Sequence, residues 1–157
     1  MKNEMELTIS ALSCNEAFAR NVIAAFCVGA NPTVDEVDDV KTVVSEAVTN
    51  CIVHAYSHKE GKIVLRALIE GNALHIEVED FGVGISDIDR AIEPFYTDKP
   101  EEERSGMGFT IMKSFTDDFS VENKRTGGVI VRMKKVFCIN DKAVNEVGGT
   151  GRSIKSY

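Results

Sequence analysis

Val34, Val37, Val40, Val43, Val44, Ala47, Val48, Cys51, Ile52 and Ala55 recur at steps of three and four residues, the period of a helix with one apolar face. A helix over residues 34–55 would reach about 30 Å, enough to cross a small domain, so the rest of the chain must pack around it. Thr33 and Glu36 have the spacing of a capping box at its start, and it should end near residues 56–58. Beside the apolar face, Glu46, Asn50 and His54 fall at i, i+4 and i+8 and form one polar stripe. That stripe suits a solvated helix edge as well as it suits the wall of a ligand pocket.

The flanking segments alternate. Residues 5–12 set Met5, Leu7, Ile9 and Ala11 against Glu6, Thr8 and Ser10, a half-buried strand. Ser13 and Glu16 repeat the capping-box spacing and open a helix to about residue 28, with Phe18, Val22, Ala25 and Phe26 as its apolar face. Gly29 and Asn31-Pro32 stop it. Arg20 projects from the other face, as a surface charge or a docking contact. Residues 62–69 and 73–79 are alternating runs joined by Glu70-Gly71-Asn72, the signature of an antiparallel hairpin. The order predicts an α+β fold: a mixed, mostly antiparallel sheet covered on one face by helices.

The chain's 157 residues fit one domain. Its net charge of −7 argues against general nucleic-acid binding. No apolar run is long enough to span a bilayer, and the first residues lack a signal-peptide core, so a cytoplasmic protein is expected. Cys14, Cys27, Cys51 and Cys138 are widely spaced, which argues against zinc and for buried reduced thiols.

The second hairpin strand runs into Asp80-Phe81-Gly82-Val83-Gly84. The glycines allow a sharp turn and close approach to a ligand, and a carboxylate is an acceptor suited to an amino group such as that of adenine. Asp-Phe-Gly also occurs in eukaryotic-type protein kinases, but the His-Arg-Asp loop and lysine-bearing strand of that class are missing. Residues 87–93 can form a short helix. Residues 94–105 carry two prolines and a charged run, and suit a mobile cover or an ordinary exposed loop. Gly106-Met107-Gly108 then opens a helix with Phe109, Ile111, Met112 and Phe115, leaving free amides for phosphate oxygens, and Lys99 and Arg104 add positive charge nearby. A strand over 119–122, a turn at 126–128 and a strand with Val129, Val131 and Met133 on one side close the sheet. Residues 1–137 make the domain; 138–157, polar and glycine-rich, read as a disordered tail.

Together, Glu46 with Asn50, Asp80-x-Gly82-x-Gly84, and Gly106-x-Gly108 resemble the three conserved boxes of the GHKL superfamily of Bergerat-fold ATPases, a two-layer sandwich with an ATP lid. Ser45 to Asn50, Thr97 to Pro100 and Glu103 to Met112 resemble more closely the anti-sigma F factor family of endospore-forming bacteria, over roughly residues 1–137. The resemblance implies a homodimeric protein-serine kinase that binds the sporulation sigma factor F with ATP or ADP and phosphorylates a serine of an anti-anti-sigma partner. By matching position it implies that Glu46 is the general base, Asn50 the Mg2+ ligand, Asp80 the adenine acceptor and Arg20 a partner contact. It likewise implies that Gly82 and Gly84 admit the nucleotide and that Lys99, Arg104, Ser105, Gly106, Met107 and Gly108 enclose the phosphates. Ile130 stands where the family carries a threonine that assists adenine recognition, leaving Asp80 and water to hold the base. A module that sequesters sigma factor with ATP but catalyses nothing is the alternative. A histidine kinase catalytic domain is disfavoured because no phosphoacceptor helix pair precedes the first strand.

Overall fold

A computed structural model describes residues 2–96 and 106–138. The long helix forms as its period requires. Helix α2 (Val34–Asn50) buries Val40, Val43, Val44, Ala47 and Val48, each valine contributing about 1.5–3 kcal/mol by leaving water. Its capping box is complete: the Thr33 hydroxyl accepts the Glu36 N–H at 3.2 Å and the Glu36 carboxylate accepts the Thr33 N–H at 2.7 Å. The helical path continues to Ala55, but residues Cys51–Ala55 form a π turn. Such turns widen the backbone and occur often at functional sites.

Strand β1 (Lys2–Ser10) leads into helix α1 (Ser13–Cys27), a 3-10 turn at Val28–Ala30, and α2. Strands β2 (Lys62–Glu70) and β3 (Ala73–Asp80) make the expected hairpin, turning at Gly71 with φ +63. A four-residue helix α3 (Ile88–Ala91), capped by Asp87, and helix α4 (Gly108–Phe115) precede β4 (Asp118–Asn123) and β5 (Val129–Val136). The sheet has the order β1-β2-β3-β5-β4, and every pairing is antiparallel where a mixed but mostly antiparallel sheet was expected.

One face of the sheet buries Ile63, Leu65, Ile69, Leu74, Ile76, Val78, Val131 and Met133 beneath the helices. The other face carries charges in a ladder: Arg66 bridges Glu6, Glu77 and Glu79, and Arg132 bridges Glu77 and Glu122. These pairs hold both arginines above their ordinary pKa, with the Glu79 and Glu122 hydrogen bonds as the largest causes. The core extends to Phe137, fully buried, whose backbone exchanges hydrogen bonds with Asn72. The Cys138 N–H donates to Glu36 at 2.8 Å, tying the end of the sheet to the start of α2.

Three expectations need correction. The cap of α1 is Leu12 with no side-chain bond, because Glu16 pairs instead with Arg20 at 3.0 Å. The buried face of α1 is Ala19, Ile23, Ala24 and Cys27, while Phe18 and Ala25 are exposed. Ala19, Ile23 and Cys27 join the core cluster with the valines of α2, and the bulkier Phe18 is turned outward. Of the four free cysteines, Cys27 and Cys51 are buried but Cys14 and Cys138 are exposed. The tail from 139 to 157 lies outside the described residues.

Candidate functional site

A cavity of about 530 Å3 opens between α2, the π turn, α4 and the ends of β3 and β5. A shallower depression of about 680 Å3 lies on the opposite face of the sheet, but its arginines are satisfied by the glutamates of the charge ladder. No helix among the described residues is long and apolar enough to cross a membrane.

At one end of the cavity stands Asp80, 4% exposed. Its Oδ1 accepts the N–H of Gly82 at 2.9 Å and of Val129 at 3.2 Å. Among the described residues, its Oδ2 receives only the Cys51 thiol, at 3.9 Å. One carboxylate oxygen is therefore held by backbone and the other is left for a stronger donor. Burial pushes the Asp80 carboxyl above its ordinary value, against the Gly82 and Val129 amides that pull it down. Burial, with the Asp80 charge next, pushes the Cys51 thiol well up, so it remains a neutral donor.

The glycines of the turn divide their work. Gly84, at φ +78, lines the cavity, and its left-handed backbone favours glycine. Gly82 is absent from the lining: a Cβ there would lie 2.3 Å from the Ala55 carbonyl oxygen, so its missing side chain lets the turn seat on the π turn. Asn123 fastens the far side, accepting from the Ile85 N–H at 2.8 Å and donating to the Ile85 carbonyl at 2.7 Å. Lys124, paired with Glu79 at 2.6 Å, sits 3.6 Å from the centre of the Phe81 ring, a cation–π contact.

At the other end, Asn50 and Gly108 line the cavity, while Glu46 lies beside Gly108 without being one of the lining residues. A Cβ at Gly108 would lie 3.1 Å from Glu46 Oε2 and 3.3 Å from Asn50 Oδ1. The start of α4 thus packs against a carboxylate and an amide from α2, and Met107 occupies the N-cap position. Asn50, His54, Gly106 and Gly108 line the cavity. Lys99, Arg104 and Ser105 lie outside the described residues, as does most of the expected cover. Arg20 is remote from this site, on α1 and paired with Glu16.

Ile130 is not part of the wall. It pairs with Glu79 and Glu122 in the β3–β5 and β4–β5 ladders, on the charged face, while Val129 and Val131 line the cavity. The pocket-facing position at the start of β5 is thus Val129. Like Ile130, it offers no hydroxyl, but its backbone N–H helps hold Asp80. Tyr56, Cys51, Asn123 and Lys124 escaped the sequence reading: their roles come from contacts between segments distant in the chain, and no local pattern carries them.

The family described as histidine kinase-like ATPase domain matches residues 9–135. The anti-sigma F factor of Thermoanaerobacter sp. is 52% identical over 133 residues, covering 85% of this chain and 93% of the relative. The anti-sigma F factor of Clostridium acetobutylicum is 50% identical, covering 88% and 97%, and that of Bacillus subtilis is 48% identical, covering 86% and 93%. Among solved structures, the catalytic domain of the histidine kinase ThkA superposes with a TM-score of 0.53 at 17% identity, covering 86% of this chain and 96% of that one, a likeness of fold alone.

Proposed function

The chain belongs to the anti-sigma F factor family, built on a histidine kinase-like ATPase domain, and from that premise we propose that it is an ATP-dependent protein-serine kinase acting on an anti-anti-sigma protein. The observation that carries the reading is that Asn50 and Gly108 line one end of a cavity whose other end is Asp80, with the Glu46 carboxylate, one helical turn from Asn50, close beside Gly108.

The chemistry follows from the donors available. Adenine would give its exocyclic N–H to Asp80 Oδ2, and the phosphates would lie toward the amides of α4. Asn50 Oδ1 is a hard oxygen donor fitting Mg2+, which keeps most of its waters and is held by a few oxygens plus phosphate. When bound, the ion neutralises phosphate charge. Glu46 would take the proton of the attacking serine hydroxyl, one helical turn from Asn50. Phosphoryl transfer asks little more of a protein than such positioning and charge compensation.

The same premise makes sigma factor F the protein held in the nucleotide-bound state, and a homodimer the working assembly. Arg20 would contribute a partner contact from α1. An Arg20→Ala protein should bind both sigma factor and anti-anti-sigma partner less tightly by calorimetry; undiminished binding to both removes it from the interface.

The test of the kinase reading is incubation with Mg2+, γ-labelled ATP and the anti-anti-sigma protein, with the mass of both proteins measured afterwards. Glu46→Gln should slow transfer by about 10²- to 10⁴-fold, the usual worth of a general base, while ATP still binds. Transfer at the wild-type rate would exclude Glu46 as the base. Tight sigma binding with no phosphate on the partner would favour a sequestering module without catalysis.

A further inference from the structure

The geometry points to Tyr56 as the residue that fixes where the Asp80 carboxylate stands, and so as a determinant of base selectivity; this rests on the reading that Asp80 takes the amino group of adenine. Tyr56 follows the π turn directly, its N–H donating to the Cys51 carbonyl at 3.2 Å. Its hydroxyl donates to the Lys62 carbonyl at 2.5 Å and accepts the Phe81 N–H at 2.8 Å.

The register gives that bridge its meaning. The last pair of the β2–β3 ladder is Ile63 with Asp80. The next pair would be Lys62 with Phe81, and there the phenol oxygen stands between the carbonyl and the amide that would otherwise meet. The ladder is splayed at that point, and the chain beyond Asp80 leaves the sheet toward the cavity. Burial holds the phenol above its ordinary pKa, so it keeps its proton and donates and accepts at once.

The neighbouring residue holds the other flank. Val83 donates to the Ala55 carbonyl at 3.4 Å, and Gly82 is packed against the same oxygen. Residues 55 and 56 thus clamp the turn whose Gly82 N–H orients Asp80 Oδ1. Gly61 makes room: a Cβ there would lie 2.4 Å from Tyr56 Cδ1. Losing the hydroxyl leaves the Phe81 amide without its acceptor and frees the turn, and a carboxylate displaced by a fraction of an ångström loses its discrimination.

Equilibrium binding of ATP and ITP in Mg2+ reads this directly, since the two differ at the purine 6-position, amino against oxo. The unmodified chain should favour ATP by about tenfold or more, because a site that expects a donor rejects an acceptor. Tyr56→Phe should lower that ratio by at least about threefold, the loss of one modest hydrogen bond. Gly61→Ala, which keeps the hydroxyl but displaces the ring, should lower it similarly. Asn72→Ala, which breaks a tether at the opposite end of the hairpin, should lower the melting temperature and leave the ratio unchanged.

A ratio that moves with Asp80→Asn but not with Tyr56→Phe or Gly61→Ala would overturn the inference alone, making Tyr56 a staple of the fold. A ratio unmoved by Asp80→Asn would overturn the adenine assignment and this inference with it. Should Tyr56→Phe fail to fold, the ratio in Gly61→Ala decides.

Discussion

The two ends of the cavity are built on different principles. Around Asp80, backbone does the holding: amides of Gly82 and Val129 reach one carboxylate oxygen, and the turn is packed on the Ala55 carbonyl. Around Glu46, side-chain ends from α2 come up against Gly108, the first residue of α4. A group fixed by backbone moves only if the fold moves, whereas side-chain ends shift by rotamer changes costing about 1 kcal/mol. The difference suits the tasks: reading a base needs a stationary acceptor, and a proton acceptor in transfer has to adjust as bonds form.

The contrast predicts that an added methyl is ruinous at one end and tolerated at the other. Gly128 has φ +86, and a Cβ there would lie 2.2 Å from the Asp80 carbonyl oxygen. Asp80 ends β3 and Gly128 immediately precedes β5, so the methyl meets backbone that yields only if the strand ends move apart. Gly128→Ala should destabilise the fold by about 3 kcal/mol, combining overpacking with a left-handed residue, measured by urea denaturation. A loss near zero would mean that the Asp80 end is no more rigid than the Glu46 end.

Removing the charge at the rigid end separates binding from stability. Burial raises the Asp80 pKa above 3.8, so the folded state holds that proton more firmly than the unfolded state does. The group's favourable contribution is complete below 3.8 and is lost as pH rises through the folded value. At neutral pH, Asp80→Asn should leave the melting temperature unchanged or higher while weakening ATP binding by about 10- to 100-fold, the worth of a charged hydrogen bond. In the unmodified chain, ATP affinity should fall on acidification with a midpoint above 3.8, a step absent from the variant. Glu36 and Glu79 behave oppositely. Burial pushes both up, but the Thr33 and Cys138 amides at Glu36, and Lys124 and Arg66 at Glu79, hold them below 4.5. Their stabilisation is complete above 4.5 and is lost as pH falls through the lowered values, which circular dichroism would follow as acid unfolding.

The same division governs what could be read from the chain. The α2 period, the Thr33–Glu36 cap, the hairpin around Gly71 and the alternation of β5 are local patterns, and each appears as local physics requires. Glu46, Asn50, Asp80, Gly84 and Gly108 stood out as polar residues and glycines beside apolar elements, but the residue pattern alone left each open, and it was the resemblance to the GHKL boxes that grouped them into one expected site. Tyr56 was not legible, since its hydroxyl acts on Lys62 and Phe81 only once β2 and β3 have closed. The Ser13–Glu16 pattern misled because Glu16 has a better partner in Arg20 one turn on, and spacing alone does not weigh one partner against another. The pocket-facing residue of β5 was missed by one position, which in a strand reverses the face.

The gentlest change tests the adjustable end. At Gly108 a Cβ would meet Glu46 Oε2 at 3.1 Å and Asn50 Oδ1 at 3.3 Å, tight contacts with the far ends of two side chains. Gly108 carries none of the positive φ that marks Gly128, and alanine favours a helix over glycine by about 1 kcal/mol. Relief of that glycine penalty offsets the crowding, so Gly108→Ala should change stability by less than about 1 kcal/mol. Yet moving the carboxylate and the amide off the point where they converge should slow transfer by about tenfold, since small misplacements of reacting groups are costly. A variant that loses several kcal/mol in urea would show Glu46 and Asn50 to be as immovable as the Asp80 turn, and the proposed difference between the two ends would vanish. Full stability with slowed transfer is the outcome that follows if the methyl displaces two rotamers and nothing more.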